Sequence, residues 1–195
     1  RHNIKVLLDF VATHTHQDHL FFRYHPEWFE TRANGFLPAF NYALAEPAAA
    51  MAENAGWWIR QTGADGLRLG DADRVPPEFW MKLRAAIPAD DDDNPIYLVG
   101  SVNDSRATNR PFIGPGGLDG RFDFPLYGHA RDVFALGRGG FSDLESALTA
   151  TETGDDPTAI HSTLIGHPDL PRFLTDADGN AIGIADGYKK LKMAF

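Results

Sequence analysis

The sequence predicts an α/β fold of successive strand–helix units with parallel strands. Short apolar runs rich in β-formers recur along the chain, and segments with helical periodicity and helical start or stop signals fall between them. That alternation is the pattern of βα units wound in one direction. With 195 residues, 43% hydrophobic and 23% charged, the chain is long enough for one domain with a substantial core.

In chain order, Lys5–Val11 is an apolar run read as a buried strand, followed by a polar, aromatic-rich loop to about Asn34. Pro47 opens a helix to Thr62, with Met51, Ala55, Trp58 and Ile59 on one face and Gly63 as its stop. Gly66–Leu69 is a second strand, and Pro77–Ile87 a helix with Phe79, Trp80, Leu83 and Ile87 at core spacing. Ile96–Val99 reads as a third strand and Arg121–Phe124 as a fourth. Ser142-Asp143-Leu144-Glu145 is a capping box opening another helix. Ser162–Ile165 is a fifth strand, and a last helix starts at Tyr188.

The formal net charge of −9 argues against nucleic acid as a partner. Part of that charge is the run Asp90–Asp93, read as a solvated loop. No apolar run reaches membrane-spanning length. The absence of cysteine excludes disulfides and thiolate metal sites and leaves the compartment unassigned. Gly114–Gly117 matches no phosphate loop, and Asn103-Asp104-Ser105 is a glycosylation sequon that matters only in a eukaryotic secretory setting.

The strand ends carry six short motifs in order. They are Asp9-Phe10-Val11-Ala12-Thr13-His14, Leu37-Pro38-Ala39-Phe40-Asn41, Gly66-Leu67-Arg68-Leu69-Gly70, Val99-Gly100-Ser101-Val102, Phe122-Asp123-Phe124-Pro125-Leu126 and Ile165-Gly166-His167-Pro168-Asp169. Together they resemble the α-amylase family of glycoside hydrolases, nearest in pattern to its cyclomaltodextrinase and maltogenic members. The resemblance implies a partial TIM (β/α)8 barrel covering about strands 3 to 7. All of residues 1–195 would then form part of one catalytic barrel, with a short loop insertion at about 15–36. A closed barrel takes about 250 residues, so the missing strands would come from more chain or from a partner.

The resemblance also assigns the chemistry. Retaining hydrolysis needs a carboxylate nucleophile and a carboxylic acid about 5–5.5 Å apart. The family's nucleophile position is Gly70 and its acid/base position is Ser101, so both groups are lost, since a serine hydroxyl is far too weak an acid. The third carboxylate, the transition-state stabiliser, is kept as Asp169. Asp71 and Asp104 are the nearest acids that might have stood in, but alternation along the strand turns Asp71 away from the direction of Gly70. Arg68 is expected to pair with Asp169 or Asp9, as a structural ion pair or a ligand contact. His14 matches a sugar-hydroxyl donor, and Pro168 replaces a second family histidine, with His167 one residue earlier. Phe10, Phe21, Phe22 and Phe124 are candidates to stack on sugar rings.

No cofactor is expected beyond the structural calcium that the resemblance leaves open. Thr13 stands where the family has a calcium-binding asparagine, and Asp176–Asn180 lacks the glycine and glutamate of a calcium loop, so no metal residue is assigned. The implied ligand is an α-1,4-glucan or maltooligosaccharide. Three readings follow: an impaired member keeping part of a sugar cleft, a non-enzymatic scaffold, or an active glycosidase or transglycosidase using displaced carboxylates. A fourth comes from Thr13–His19, which spells T-H-x-H-x-D-H as in metallo-β-lactamase-like hydrolases. That fold needs strands before the motif and a ligand histidine downstream. Only 13 residues precede His14, and after His25 the next histidine is His129.

Overall fold

The computed structural model describes residues 4–30, 36–89, 94–101, 112–154, 158–168, 170–177 and 185–194. Among them are five strands: β1 (Leu7–Val11), β2 (Gly66–Gly70), β3 (Tyr97–Ser101), β4 (Gly120–Phe122) and β5 (Ile160–Ser162). They form one sheet in the order β1-β2-β3-β4-β5, every pair parallel. An order that follows the chain without reversal is that of a singly wound barrel wall, whereas a doubly wound open sheet reverses at a switch point. The chain is thus a segment of a parallel α/β barrel.

The α-helices between the strands are α1 (Leu20–Tyr24), α2 (Ala45–Thr62), α3 (Pro77–Ala86), α4 (Phe124–Ala130) and α5 (Phe141–Gly154), and α6 (Phe173–Ala177) and α7 (Ala185–Met193) follow β5. α2 stops where Gly63 takes a left-handed φ of 62° and its N–H bonds back to Ile59 O. Met51, Ala55 and Ile59 of α2 and Phe79, Trp80 and Leu83 of α3 pack with Phe10, Leu67, Leu69 and Leu98 in one core. Because strand side chains alternate, burying Leu67 and Leu69 under helices sends Gly66, Arg68 and Gly70 to the other face, the inner face of the wall. Gly66 admits no side chain: a Cβ there would lie 2.3 Å from Tyr97 O and 2.5 Å from a Leu7 methyl.

Two aspartates fix the lower edge of the sheet. Asp65 accepts from Val6 N and Lys5 Nζ, each at 2.8 Å, and the lysine holds its carboxyl below the usual carboxylate range. Asp119 accepts from Leu98 N at 2.7 Å and from Arg84, whose other nitrogens reach Ile96 O at 2.6 Å and Gly117 O at 3.1 Å.

Three expectations change. The fourth strand ends at Phe122, because Asp123 caps α4 by accepting from Leu126 N at 3.0 Å and Pro125 suits the first helical turn. The fifth strand is Ile160–Ser162 rather than Ser162–Ile165, since β4 offers partners only from Gly120 to Phe122. Helix α5 begins at Phe141, with Asp143, not Ser142, reaching back to the Gly140 N–H at 2.8 Å. The stretch after β1 also carries α1, capped by the His19 ring accepting from Phe21 N.

Candidate functional site

The C-terminal ends of β1, β2 and β3 are in register, with Val11 opposite Gly70 and Gly70 opposite Ser101. One step back, Asp9 lies opposite Arg68 and Arg68 opposite Val99. Paired residues of parallel strands share a face. Val11, Gly70 and Ser101 therefore form an upper row on the inner face, and Asp9, Arg68 and Val99 a lower one.

Arg68 rises from the lower row and binds the upper. Its Nη1 donates to Asp9 Oδ1 at 2.8 Å, while Nη2 contacts Ser101 Oγ at 3.5 Å and lies against His167 Nε2. Ser101 Oγ is 3.1 Å from the same Nε2. The guanidinium also sits 5.8 Å from the Phe122 ring centroid, and the Phe124 ring meets His167 edge-on at 5.1 Å. Ser101 is 8% exposed. The Arg68 side chain is 22% exposed and its partner Asp9 69%, so the cation is the more buried member of the pair.

Four sequence-named positions, Asp9, Arg68, Gly70 and Ser101, thus meet at one end of the sheet. Of the two partners expected for Arg68, Asp9 is the one bonded among the described residues. Asp169 and Asp104 lie outside the described residues, as do Asn103–Ser105, Asp90–Asp93 and part of Asp176–Asn180. Asp71 follows Gly70 with a left-handed φ of 47° and is exposed. His167 and Phe122 are the contributions the motif reading left unassigned. The signal for His167 was its place two residues before Asp169 in the motif that follows β5.

His14 lies in the loop after β1, where Phe40 N donates to Thr13 O at 3.1 Å and Thr15 N to Pro38 O at 3.1 Å. The Leu37–Asn41 motif thereby braces the His14 loop. Tyr42 adds a hydroxyl donated to Ala12 O at 2.5 Å, and burial raises its pKa well above that of a free tyrosine. The His14 ring pairs with Thr13 Oγ1 at 2.8 Å. Together with Asp9, Val11, His19, Phe21 and Trp58 it lines a half-open cavity of about 350 Å³. Gly70 and Ser101 lie outside that lining. Phe22 instead packs edge-on against buried Phe29 at 5.1 Å.

Thr13 is buried with its hydroxyl committed to His14, so it does not fit a calcium ligand. In the histidine run, His16 Nδ1 accepts from Asp18 N and His19 Nδ1 from Phe21 N. Among the described residues no group of three or more His, Asp or Glu side chains is gathered to hold a metal. Both contacts cap local turns.

No protein-family model matches the chain. A cyclomaltodextrinase of Geobacillus thermopakistaniensis is 27% identical over 164 residues, covering 82% of this chain and 25% of that protein. A maltogenic α-amylase of Bacillus acidopullulyticus is 25% identical over 223 aligned positions, covering 100% of this chain and 36% of its own. Among solved structures, an Anoxybacillus α-amylase superposes with a TM-score of 0.81 at 26% identity, over 98% of this chain and 45% of that one. An α-amylase from Geobacillus thermoleovorans, solved with acarbose, gives a TM-score of 0.74 at 26% identity, over 91% and 43%. The chain spans between a quarter and just over a third of the length of these two curated relatives.

Proposed function

We propose that this chain, a relative of the cyclomaltodextrinases and maltogenic amylases of the α-amylase family, is part of a degenerate glycoside-hydrolase barrel that holds an α-1,4-linked glucose oligosaccharide without cleaving it. The observation that carries the reading is the Gly70–Ser101 cross-strand pair. These two residues stand where retaining chemistry needs a nucleophile and an acid, and neither supplies a carboxyl group. Among the described residues Arg68 bonds one carboxylate, Asp9, through Nη1, while Ser101 and His167 lie at Nη2.

A sugar-binding role for the remainder is supported by the polar groups and rings near the strand ends. Asp9 and His14 share a cavity with Phe21 and Trp58, offering hydroxyl partners beside apolar faces. The family resemblance gives Asp169 the role of a hydroxyl acceptor, and Arg68 ties β1 to Ser101 of β3. The acarbose complex of the Geobacillus thermoleovorans α-amylase supports a ligand of this class.

Calorimetry on the intact protein tests this. Maltotetraose is expected to bind with Kd of about 0.1–10 mM, equivalent to about 3–5 kcal/mol. Asp169→Ala should weaken it through loss of a charged acceptor. No binding at high millimolar maltotetraose, or binding indifferent to Asp169→Ala combined with His14→Ala, leaves only the scaffold reading.

A further inference from the structure

We infer that Thr13 is a positioning residue: its hydroxyl holds His14 as the Nε2–H tautomer, so that the cavity beside β1 meets its ligand with an imidazole donor. The tautomer follows from geometry alone, and that the ligand is a sugar rests on the function proposed above.

The direction of one hydrogen bond decides the tautomer. Thr13 Oγ1 and His14 Nδ1 lie 2.8 Å apart, and either atom could donate. Thr13 is 8% exposed, and its hydroxyl has no second partner among the described residues. A hydroxyl brings one proton and two lone pairs, whereas a neutral imidazole brings one of each. Were Nδ1–H the donor, the Thr13 proton would be buried with nothing to accept it, and a donor left unmet in the interior bears its full desolvation cost. With the Thr13 O–H as donor, that proton is satisfied and only oxygen lone pairs go unused, a smaller loss. Nδ1 is then the acceptor, and the ring proton sits on Nε2.

The loop keeps the pair in place. Thr13 O accepts from Phe40 N at 3.1 Å, and Ala12 O accepts from the Tyr42 hydroxyl. His14 itself bridges to Ala39. On that fixed backbone the branched Thr13 side chain has little χ1 freedom, which holds Oγ1 against the ring.

His19 lines the same cavity and supplies a comparison. Its Nδ1 accepts from Phe21 N at 3.1 Å, a group that can only donate, so its tautomer is set by backbone. Both imidazoles thus carry their proton on Nε2, one by a fixed backbone donor and the other by a replaceable side chain. The cavity offers N–H groups to the lone pairs of ligand hydroxyl or ether oxygens, and the Asp9 carboxylate to hydroxyl protons.

Two-bond proton–nitrogen correlation spectra of the histidine rings read the tautomers directly, on the intact protein at about pH 8, above the reference value for histidine. His14 and His19 are both expected as Nε2–H. Thr13→Ser keeps the hydroxyl, and should keep the His14 pattern and the maltotetraose Kd to within about twofold. Thr13→Val should move the His14 Nδ1 signal to that of a nitrogen without a hydrogen bond and leave His19 unchanged. Its affinity should fall about three- to tenfold, the worth of about one hydrogen bond. Thr13→Asp, whose carboxylate only accepts, should turn His14 to the Nδ1–H form. A wild-type His14 in the Nδ1–H form overturns the assignment, and that spectrum decides even where a variant fails to fold. Ring signals or maltotetraose binding unaltered by Thr13→Val overturn the positioning role. Spectra as expected with no maltotetraose binding in any form refute the sugar reading and leave the tautomer assignment standing.

Discussion

Placing both carboxylates at once, with Gly70→Asp and Ser101→Glu, tests the proposal that this barrel lacks its nucleophile and acid at these two positions. The two positions are register partners on adjacent parallel strands, facing the same side. Strands in a sheet lie about 4.8 Å apart, so the restored carboxyl groups fall close to the 5–5.5 Å separation of retaining enzymes. The Gly70 position admits the new side chain, with its nearest contact 3.8 Å from the Cβ. Neither single variant should act. Alone, a glutamate at position 101 would sit against Arg68 and His167, two groups that favour its ionised form, when a general acid needs its proton. An aspartate at position 70 engages Arg68 and places a like charge beside the glutamate, which raises its pKa toward a useful value. The gain is therefore non-additive. Wild type and both single variants are expected at background on a nitrophenyl maltoside, and the double variant at least about 10²-fold above it, the lower range for general acid catalysis. Proton NMR should show retained anomeric configuration. Wild-type turnover of about 1–10³ per second would refute the placement of the catalytic positions. An inverted product from the double variant would refute the spacing.

Two further outcomes concern the frame around the site. Tyr42→Phe removes a buried hydroxyl and leaves Ala12 O without its donor, an expected loss of about 1–2 kcal/mol in urea unfolding. Because burial raises the folded-state pKa of Tyr42, the stability it contributes is present below about pH 10 and is lost as pH rises beyond. The wild type should thus lose stability more steeply above pH 10 than Tyr42→Phe; equal slopes would remove Tyr42 as the cause, though half-buried Tyr97 and buried Tyr127 keep part of the trend in both. Arg84→Met strands Asp119, Ile96 O and Gly117 O together, and should cost about 2–4 kcal/mol in the same assay, short of a fully buried pair because the Arg84 and Asp119 side chains keep some exposure. A midpoint shift equivalent to less than about 1 kcal/mol would mean that Arg84 is a solvated surface contact.

The fold was legible wherever a local signal and the wall agreed. α2 and α3 announced themselves by apolar spacing, proline starts and a glycine stop, and the glycine-containing strand β2 was placed to within a residue. Legibility failed where two local signals competed. Phe122-Asp123-Phe124 reads as strand by its phenylalanines and as a helix start by its aspartate and the following proline, and the cap prevailed. β5 pairs Ile160–Ser162 with Gly120–Phe122 and so lies earlier than Ser162–Ile165, an effect passed across a ladder that no window on residues 160–165 contains. At the site, the motifs gave positions but not partners. That Arg68 bonds Asp9, and that His167 closes onto Ser101, depends on side chains arriving from positions 59 and 66 residues apart in sequence.

On the proposed reading, the same geometry explains how the wall would tolerate the loss of its carboxylates. The core that fixes β1, β2 and β3 is built from the outward positions Phe10, Leu67, Leu69 and Leu98 under α2 and α3. The site is built from the alternate positions, Asp9, Arg68, Gly70 and Ser101, which touch none of those helices through a described hydrogen bond. A pleated strand separates the two tasks residue by residue, so substitutions on the inner face leave the packing intact. Removing two carboxylates from that face also removes their mutual repulsion, which a retaining site must bear because both lie within about 5–5.5 Å. Function and stability pull apart at such positions. On that argument Gly70→Asp with Ser101→Glu should lower the thermal midpoint even while it restores turnover. A double variant that gained both activity and stability would show that the inner face had been strained by the lack of its acids.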